Sequence, residues 1–426
     1  MKKQKSFQIH LDPDLIEEFH ASLNAHEHIS EQISFMEKAF KKKSYRGVPT
    51  WDCICACEHR IRDTVGYLND QVLGKMEHGS AFDFINFINN ASVVLDSIDM
   101  LAKILGVDLS QEDARTDAFN MVGLNGEGTD KKYFEFLRSL CAVHPVETNR
   151  YKNVFHTADI VTCPYLVWVN KNFLGSFWNC DLHGHAFINE ANSWGKDICI
   201  HIDQVFAHIK YRYSLLNKIG CTLERFQESR IEEFRTIPVP ARAENESEPS
   251  YVERLKNAEI ERFGANNAYV YDFAKRALLF NPSNPANKIA AERYKNAWRF
   301  AIESQRNVLQ NMSRLDANHT EIESGNTDWA LHLEYCYCDC HELAEFSYNL
   351  EKINYLDGAS GKSNAIWGRA KLEEMDRVLG KHIVFDYDND SDEELYMLSR
   401  IALYEIAFKH NCEINETIPH GERYRP

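Results

Sequence analysis

The stretch YFEFLRSLCAVHPVETNRY, residues 133–151, decides how the first third of the chain is read. Tyr133, Leu137, Leu140 and His144 step by four, three and four, the spacing of one helical face. Pro145 cannot continue the hydrogen-bond ladder and biases the residue before it away from helical dihedrals, so the helix is expected to end at His144. Arg138, on the last full turn, points to the same neighbourhood. An arginine and a histidine gathered where a helical bundle opens can act on a phosphodiester. The plain alternative is that the two merely solvate and cap a helix end.

Working outward, three further amphipathic helices precede this one. Asp12 and Pro13 supply a capping side chain and a proline at the first helical position. Leu15, Phe19 and Leu23, then Ile29, Ile33, Met36 and Phe40, continue the stripe to a lysine run. Thr50 can cap a second helix carrying Ile54, Cys57, Ile61, Val65, Leu68 and Val72. The third is the most regular, with Phe84, Ile88, Ala91, Leu95, Ile98, Ala102 and Leu105 on one face and Gly106 as its stop. None is apolar all round, which predicts a helical bundle over residues 1–155.

Beyond it the pattern changes. DIVTCPYLVWV, DLHGHAFIN and KDICIHID are short, β-branched and aromatic, and predict about three antiparallel strands in a mixed β/α segment, 156–236. HGH (183–185) is read as a turn around Gly184, although with Cys180 and Asp181 it offers metal-binding atoms. IPVPARAENESEPS (237–250) has the composition of a linker. Helical periodicity resumes near Gln204 and runs to about Arg235, returns over 251–280 and 284–312, and the C-terminal helical domain is placed at 251–412. The fold class is therefore mainly α: a four-helix bundle, a small mixed segment and an all-helical C-terminal region.

Sixty-four acids against 48 basic residues give a net charge of −16, which argues against broad non-specific nucleic-acid binding but leaves room for a local basic pocket. KAFKKKSYR (38–46) and HRIR (59–62) are the clearest basic clusters. No secretory signal follows the N-terminal lysines and no segment is apolar enough to span a bilayer, so a soluble, cytoplasmic protein is expected. The 12 cysteines fall mostly inside helical patterns and read as reduced core thiols. CxCxC at 53–57 and 336–340, with His59 and His341 nearby, lacks zinc-finger spacing. GASGKS lacks the first glycine of a phosphate-binding loop, and DYDNDSDEE lacks the glycine and glutamate of a calcium loop. No metal and no cofactor is expected.

The Arg–His spacing recurs at Arg150/His156, Arg314/His319 and Arg377/His382. The setting of Arg138/His144, at the end of a bundle's fourth helix and against a proline, singles it out. In that setting FLRSLCAVHP resembles the R-x(4–6)-H motif of the HEPN superfamily, over about the first third of the chain. The resemblance implies a metal-independent endoribonuclease of the toxin and antiphage-defence kind, with Arg138 and His144 as the catalytic pair. Its alternative is a silent nucleotide-, RNA- or protein-binding module serving as a sensor or regulatory subunit. Ser139 stands where the family often has Asn, Asp or His.

The chemistry can be argued without the resemblance. Metal-free RNA cleavage needs a base for the ribose 2′-hydroxyl and a cation for the developing phosphorane, roles that suit histidine and arginine. Six residues of α-helix set the two side chains about 120° apart, so either the helix ends before His144 or two bundles pair and the site is composite. Ser139, Lys41, Lys42, Lys43, Arg60 and Arg62 are the expected substrate-binding residues. RNA, tRNA included, a second copy of the chain, and a protein partner or antitoxin are the expected partners. A membrane is not.

Overall fold

In the computed structural model the described residues are 6–25, 35–41, 43–74, 81–169, 179–188, 195–264, 268–313, 341–358 and 361–414. They are mainly helical, with a few small sheets. The chain divides into two compact units, residues 1–25 with 36–229, and residues 26–35 with 230–426. The boundary expected at 155/156 therefore falls inside the first unit.

That unit contains β1 (Phe7–Gln8), α1 (Asp14–Leu23), α2 (Phe35–Lys41), β2 (Ser44–Tyr45), β3 (Val48–Pro49) and α3 (Thr50–Asp70). Asp12 Oδ1 accepts from the Asp14 N–H at 3.1 Å, as its position before Pro13 suggested. β2 and β3 form a hairpin whose two turn residues, Arg46 and Gly47, both have positive φ (52° and 83°), the primed turn that matches strand twist. β4 (Val72–Leu73) pairs antiparallel with β1. Next come α4 (Phe82–Leu105), stopped by Gly106 in the left-handed region, α5 (Ser110–Asp113) and α6 (Asp130–Arg138).

The stripe read on α4 is buried from Phe84 to Ala102, but so are Phe87, Val94 and Leu101 on its flank. The reason is α7 (Ile202–Thr236), whose first part belongs to this unit. Its Phe206 ring lies 5.3 Å from Phe87, and its Tyr213 hydroxyl donates to the Asp12 carbonyl at 2.7 Å. Arg212, 2% exposed, pairs with Asp99 of α4 and with Asp113 of α5, while Lys131 of α6 bridges the same two carboxylates at 2.6 and 2.8 Å. A helix expected to lie outside the bundle thus packs as one of its members.

His208 of α7 is buried between Phe119 and Phe134, with ring centroids 5.5 and 5.2 Å away. Burial, then the positive charges of Arg212, Arg115 and Lys131, push its pKa down to about 3. The unfolded chain takes up this proton near pH 6.5 and the folded chain does not, so the term is stabilising above pH 6.5 and is lost as pH falls toward 3. His208→Phe should retain the ring packing and remove the term. Between pH 7 and pH 5 the parent should lose about 2 kcal/mol more than the variant in urea titrations. Equal losses would mean that His208 is protonated in the folded protein.

β5 (Val161–Trp168), β6 (Leu182–Ile188) and β7 (Lys196–Ile200) form an antiparallel sheet, as the residue pattern predicts, and the structure sets them in chain order. The turn expected at Gly184 is instead the middle of the central strand. Sequence reads Gly as a turn, but here it is close approach that asks for it: a Cβ would meet Leu166 Cδ2 at 3.0 Å. His183 and His185 both reach Asp197 Oδ1 of β7, each at 3.0 Å. Trp168, fully buried, stacks on Phe7 and meets Phe84 edge-on, and its indole N–H donates to Asp83 Oδ1 at 3.0 Å. The other Asp83 oxygen accepts from the Gly74 N–H, so one carboxylate ties strand, helix start and turn.

The second unit contains the end of α7, then α8 (Glu248–Phe263), α9 (Ala268–Leu279), α10 (Lys288–Asn311), α11 (His341–Ala344), α12 (Ser347–Ile353), α13 (Lys362–Leu379) and α14 (Asp392–Ile414). Gly264, φ 73°, ends α8, so the single helix read over 251–280 is divided. The linker-like segment is tied down. Arg254 donates to the carbonyls of Pro240 and Ala241, and buried Arg262 to those of Phe234 and Ile237. On α14, Leu395, Met397, Leu398, Ile401 and Leu403 are all fully buried, which makes it this unit's central helix. The acidic loop is a turn closed on itself, Asp386 Oδ1 accepting from the N–H groups of Asp388 and Asn389. Cys336, Cys338 and Cys340, and the middle of GASGKS, lie outside the described residues. Among the described residues no helix is long and apolar enough to cross a membrane.

Candidate functional site

Thr129 caps α6, its hydroxyl accepting from the Lys132 N–H at 3.2 Å, and Tyr133, Phe134, Phe136 and Leu137 are buried. The α-helix ends at Arg138. Residues 139–143 then form a single π turn, closed by the His144 N–H donating to the Ser139 carbonyl at 2.8 Å. π turns are rare and gather at functional sites. This one has a structural consequence: Tyr133, Leu137 and Leu140 keep the buried face, while His144 leaves it for solvent. The face predicted by α-helical spacing fails at its last member because the period changes there.

After Pro145 the chain returns to the sheet. Thr148 and Val161 exchange both backbone hydrogen bonds at 2.9 Å, and the Thr148 hydroxyl meets that of Ser139 at 2.8 Å. Ser139 is wholly buried. It joins the π turn to the returning strand instead of facing a substrate, which its position after Arg138 could not reveal. Residues 143–147 project as an exposed crest, with His144 flanked by Val143 and Val146. No hydrogen bond or ion pair to the His144 ring is present among the described residues.

Arg138, 27% exposed, donates from Nη1 to Asp96 Oδ2 of α4 at 3.1 Å, and its buried Nε has no partner. Asp96 is exposed, and an exposed pair of this kind contributes only about 0–1 kcal/mol, so a phosphate can replace the carboxylate at little cost. Arg138 and His144 stand at the two ends of one π turn, and their side chains share no hydrogen bond. Asp96 was missed in the sequence; it sits on the exposed face of α4 between apolar residues, where an acid is unremarkable.

The other basic residues are more committed. Lys41 pairs with Glu37 at 3.1 Å, and Lys43 lies over the rings of Phe40 and Phe226 at 5.1 and 4.6 Å. Arg62 grips Glu17 through two bonds of 2.9 and 3.2 Å and lies 3.0 Å from buried Glu58. Arg60 is exposed, and Lys42 lies outside the described residues. Of the spacing matches, His156 is buried, its ring nitrogens at 3.1 and 3.0 Å from the carbonyls of Ala158 and Arg150. Cys57 is buried and its thiol is pushed up to about 11 mainly by that burial, as suits a core thiol.

One grouping of metal-competent side chains exists among the described residues. Asp181, His201 and Asp203 bring one ligand atom each within 4.8 Å of one another, where β7 passes into α7. Asp181 was noticed in the sequence beside HGH, but the histidines of that motif turn to Asp197 and the grouping uses His201. The signal was HID at 201–203, hidden by a strand-to-helix change within three residues. Asp181 also accepts from the Ile202 N–H at 3.1 Å, the role of a helix cap. Comparison with protein-family models, curated proteins and solved structures finds no significant match to this chain.

Proposed function

We propose that this chain is a metal-independent endoribonuclease of HEPN type, with Arg138 and His144 as its active pair, acting as a microbial toxin or antiphage effector. The observation that carries the reading is the π turn. It leaves His144 in solvent with no polar partner among the described residues, one turn from an arginine paired there with an exposed, displaceable carboxylate. His144 takes the proton of the ribose 2′-hydroxyl, the 2′-oxygen attacks phosphorus, and the bond to the 5′-oxygen breaks. Arg138 leaves Asp96 to meet the charge on the phosphorane. The departing 5′-oxygen needs a proton, which the histidine of a second copy supplies if two bundles pair. The basic residues near 41–62 are the proposed further contacts to RNA, Arg60 being the most open.

The test is incubation of labelled RNA, tRNA included, with the full chain in excess EDTA. Products ending in a 2′,3′-cyclic phosphate and a 5′-hydroxyl are expected, from a protein that light scattering shows to be a dimer. Cleavage that requires a divalent ion and disappears in His201→Ala would transfer the chemistry to Asp181, His201 and Asp203. The Arg138–Asp96 pair favours one second reading, a silent module in which that carboxylate permanently neutralises the arginine. RNA retained without cleavage by a monomer, with binding lost in Arg138→Ala, would select it.

A further inference from the structure

A cavity of about 370 Å³ opens between the sheet and α6, within the size range of small-molecule sites. One wall is aromatic: Phe119 lies 5.1 Å from Tyr133, which lies 5.3 Å from Phe155, which lies 5.4 Å from Phe136. The opposite wall is the sheet, where Ala186 and Ile198 present small and aliphatic surface. Such a slot suits a flat ring, because aromatic faces and edges gain from stacking beyond the area they cover.

Four polar side chains of the lining have unused capacity among the described residues. Tyr133 is 6% exposed, lines the cavity, and its hydroxyl makes no hydrogen bond among the described residues. Buried tyrosine hydroxyls ordinarily have a partner, and this one has none among the described residues. The side chains of His201 and Gln204 also line the space and make no hydrogen bond or ion pair among the described residues. Lys196 donates to the Phe155 carbonyl at 2.9 Å and has no carboxylate partner among the described residues. The nearest acid in the lining, Asp197, is engaged by His183 and His185 at 3.0 Å each, which hold its carboxyl below the usual range. The cavity therefore combines an aromatic wall with a phenol that has no hydrogen-bond partner and an ammonium group that has no carboxylate partner among the described residues.

We infer that this cavity is a binding site for a small planar aromatic or heteroaromatic anion, its ring against Tyr133 and Phe155 and its acidic group at Lys196. The Tyr133 hydroxyl and the Gln204 amide read polar atoms on the ring edge. This site is distinct from Arg138 and His144 and does not depend on their chemistry.

Calorimetric titration of the full chain with indole-3-carboxylate and nicotinate, beside neutral indole and nicotinamide, tests it. The acids are expected to bind at least about 10-fold more tightly than their neutral counterparts, as a charge-assisted hydrogen bond requires. Tyr133→Phe, which keeps the ring and the fold, should weaken the better acid roughly 3- to 10-fold. Lys196→Met should abolish the preference for acid over neutral ring. No binding by either acid, equal binding of the neutral compounds, or binding unchanged in both variants would overturn the assignment.

Discussion

Replacing His144 by alanine is expected to lower RNA cleavage by about 10²–10⁴-fold, the usual contribution of a positioned acid–base group. Arg138→Ala should cost about 10²–10³-fold, as for other groups that stabilise a developing anion. Neither change should cost much stability. His144 stands in solvent with no polar partner among the described residues, and Arg138 loses only an exposed pair. Circular dichroism and melting temperature should be close to those of the parent. Asp96→Asn is the informative companion: if the carboxylate merely holds the guanidinium until RNA arrives, its loss should leave cleavage unchanged or raise it. His382→Ala, in the other unit, serves as the control for a chance spacing match. His156→Ala cannot serve, because both ring nitrogens of that buried histidine are bound to backbone carbonyls and its loss would unsettle the fold. Activity retained in His144→Ala would remove the mechanism.

The second large effect concerns stability. Trp168→Ala should destabilise the first unit by about 3–5 kcal/mol, the range for removing a buried tryptophan. The side chain is fully buried, loses two ring contacts, and leaves Asp83 without its indole donor. What matters is where the loss is felt. If residues 1–155 were a self-contained bundle, amide exchange in α3 and α4 would keep the parent's protection after a change in β5. Because Trp168 is anchored on the start of α4, protection in both helices should fall together with that of the sheet. Protection lost only in the sheet would restore the boundary at 155/156.

The pattern of α4 shows how much of this was legible. Its apolar stripe and its glycine stop were written locally, and the helix appears as read, because periodicity and left-handed glycine are properties of the chain itself. The same holds for the three strands, whose β-branched runs and antiparallel pairing follow the reading. What periodicity could not say was that α4 is buried on two sides. That depends on α7, about 100 residues later, and on Arg212, whose buried charge looks in sequence like any surface arginine of an amphipathic helix. Gly184 was misread for a related reason: glycine marks a turn by conformation or a close approach by size, and only the facing Leu166 decides which.

The candidate site divides along the same line. Arg138, His144 and Pro145 could be picked out from the chain alone, since residue chemistry and a helix stop are local. The π turn, the burial of Ser139 against Thr148, and the carboxylate of Asp96 could not. Each depends on a segment far enough away that its position is a product of the whole core. The cavity beside Tyr133 belongs wholly to this second kind. Its aromatic wall reads in sequence as ordinary core, and only the packing of β6 and β7 against α6 leaves a phenol without a partner among the described residues. The sequence by itself determined which segments become helix or strand, and which residue types stand at the end of α6. The tertiary structure alone decided which of those residues keep free hydrogen-bonding capacity, because that is settled by neighbours brought together across the chain.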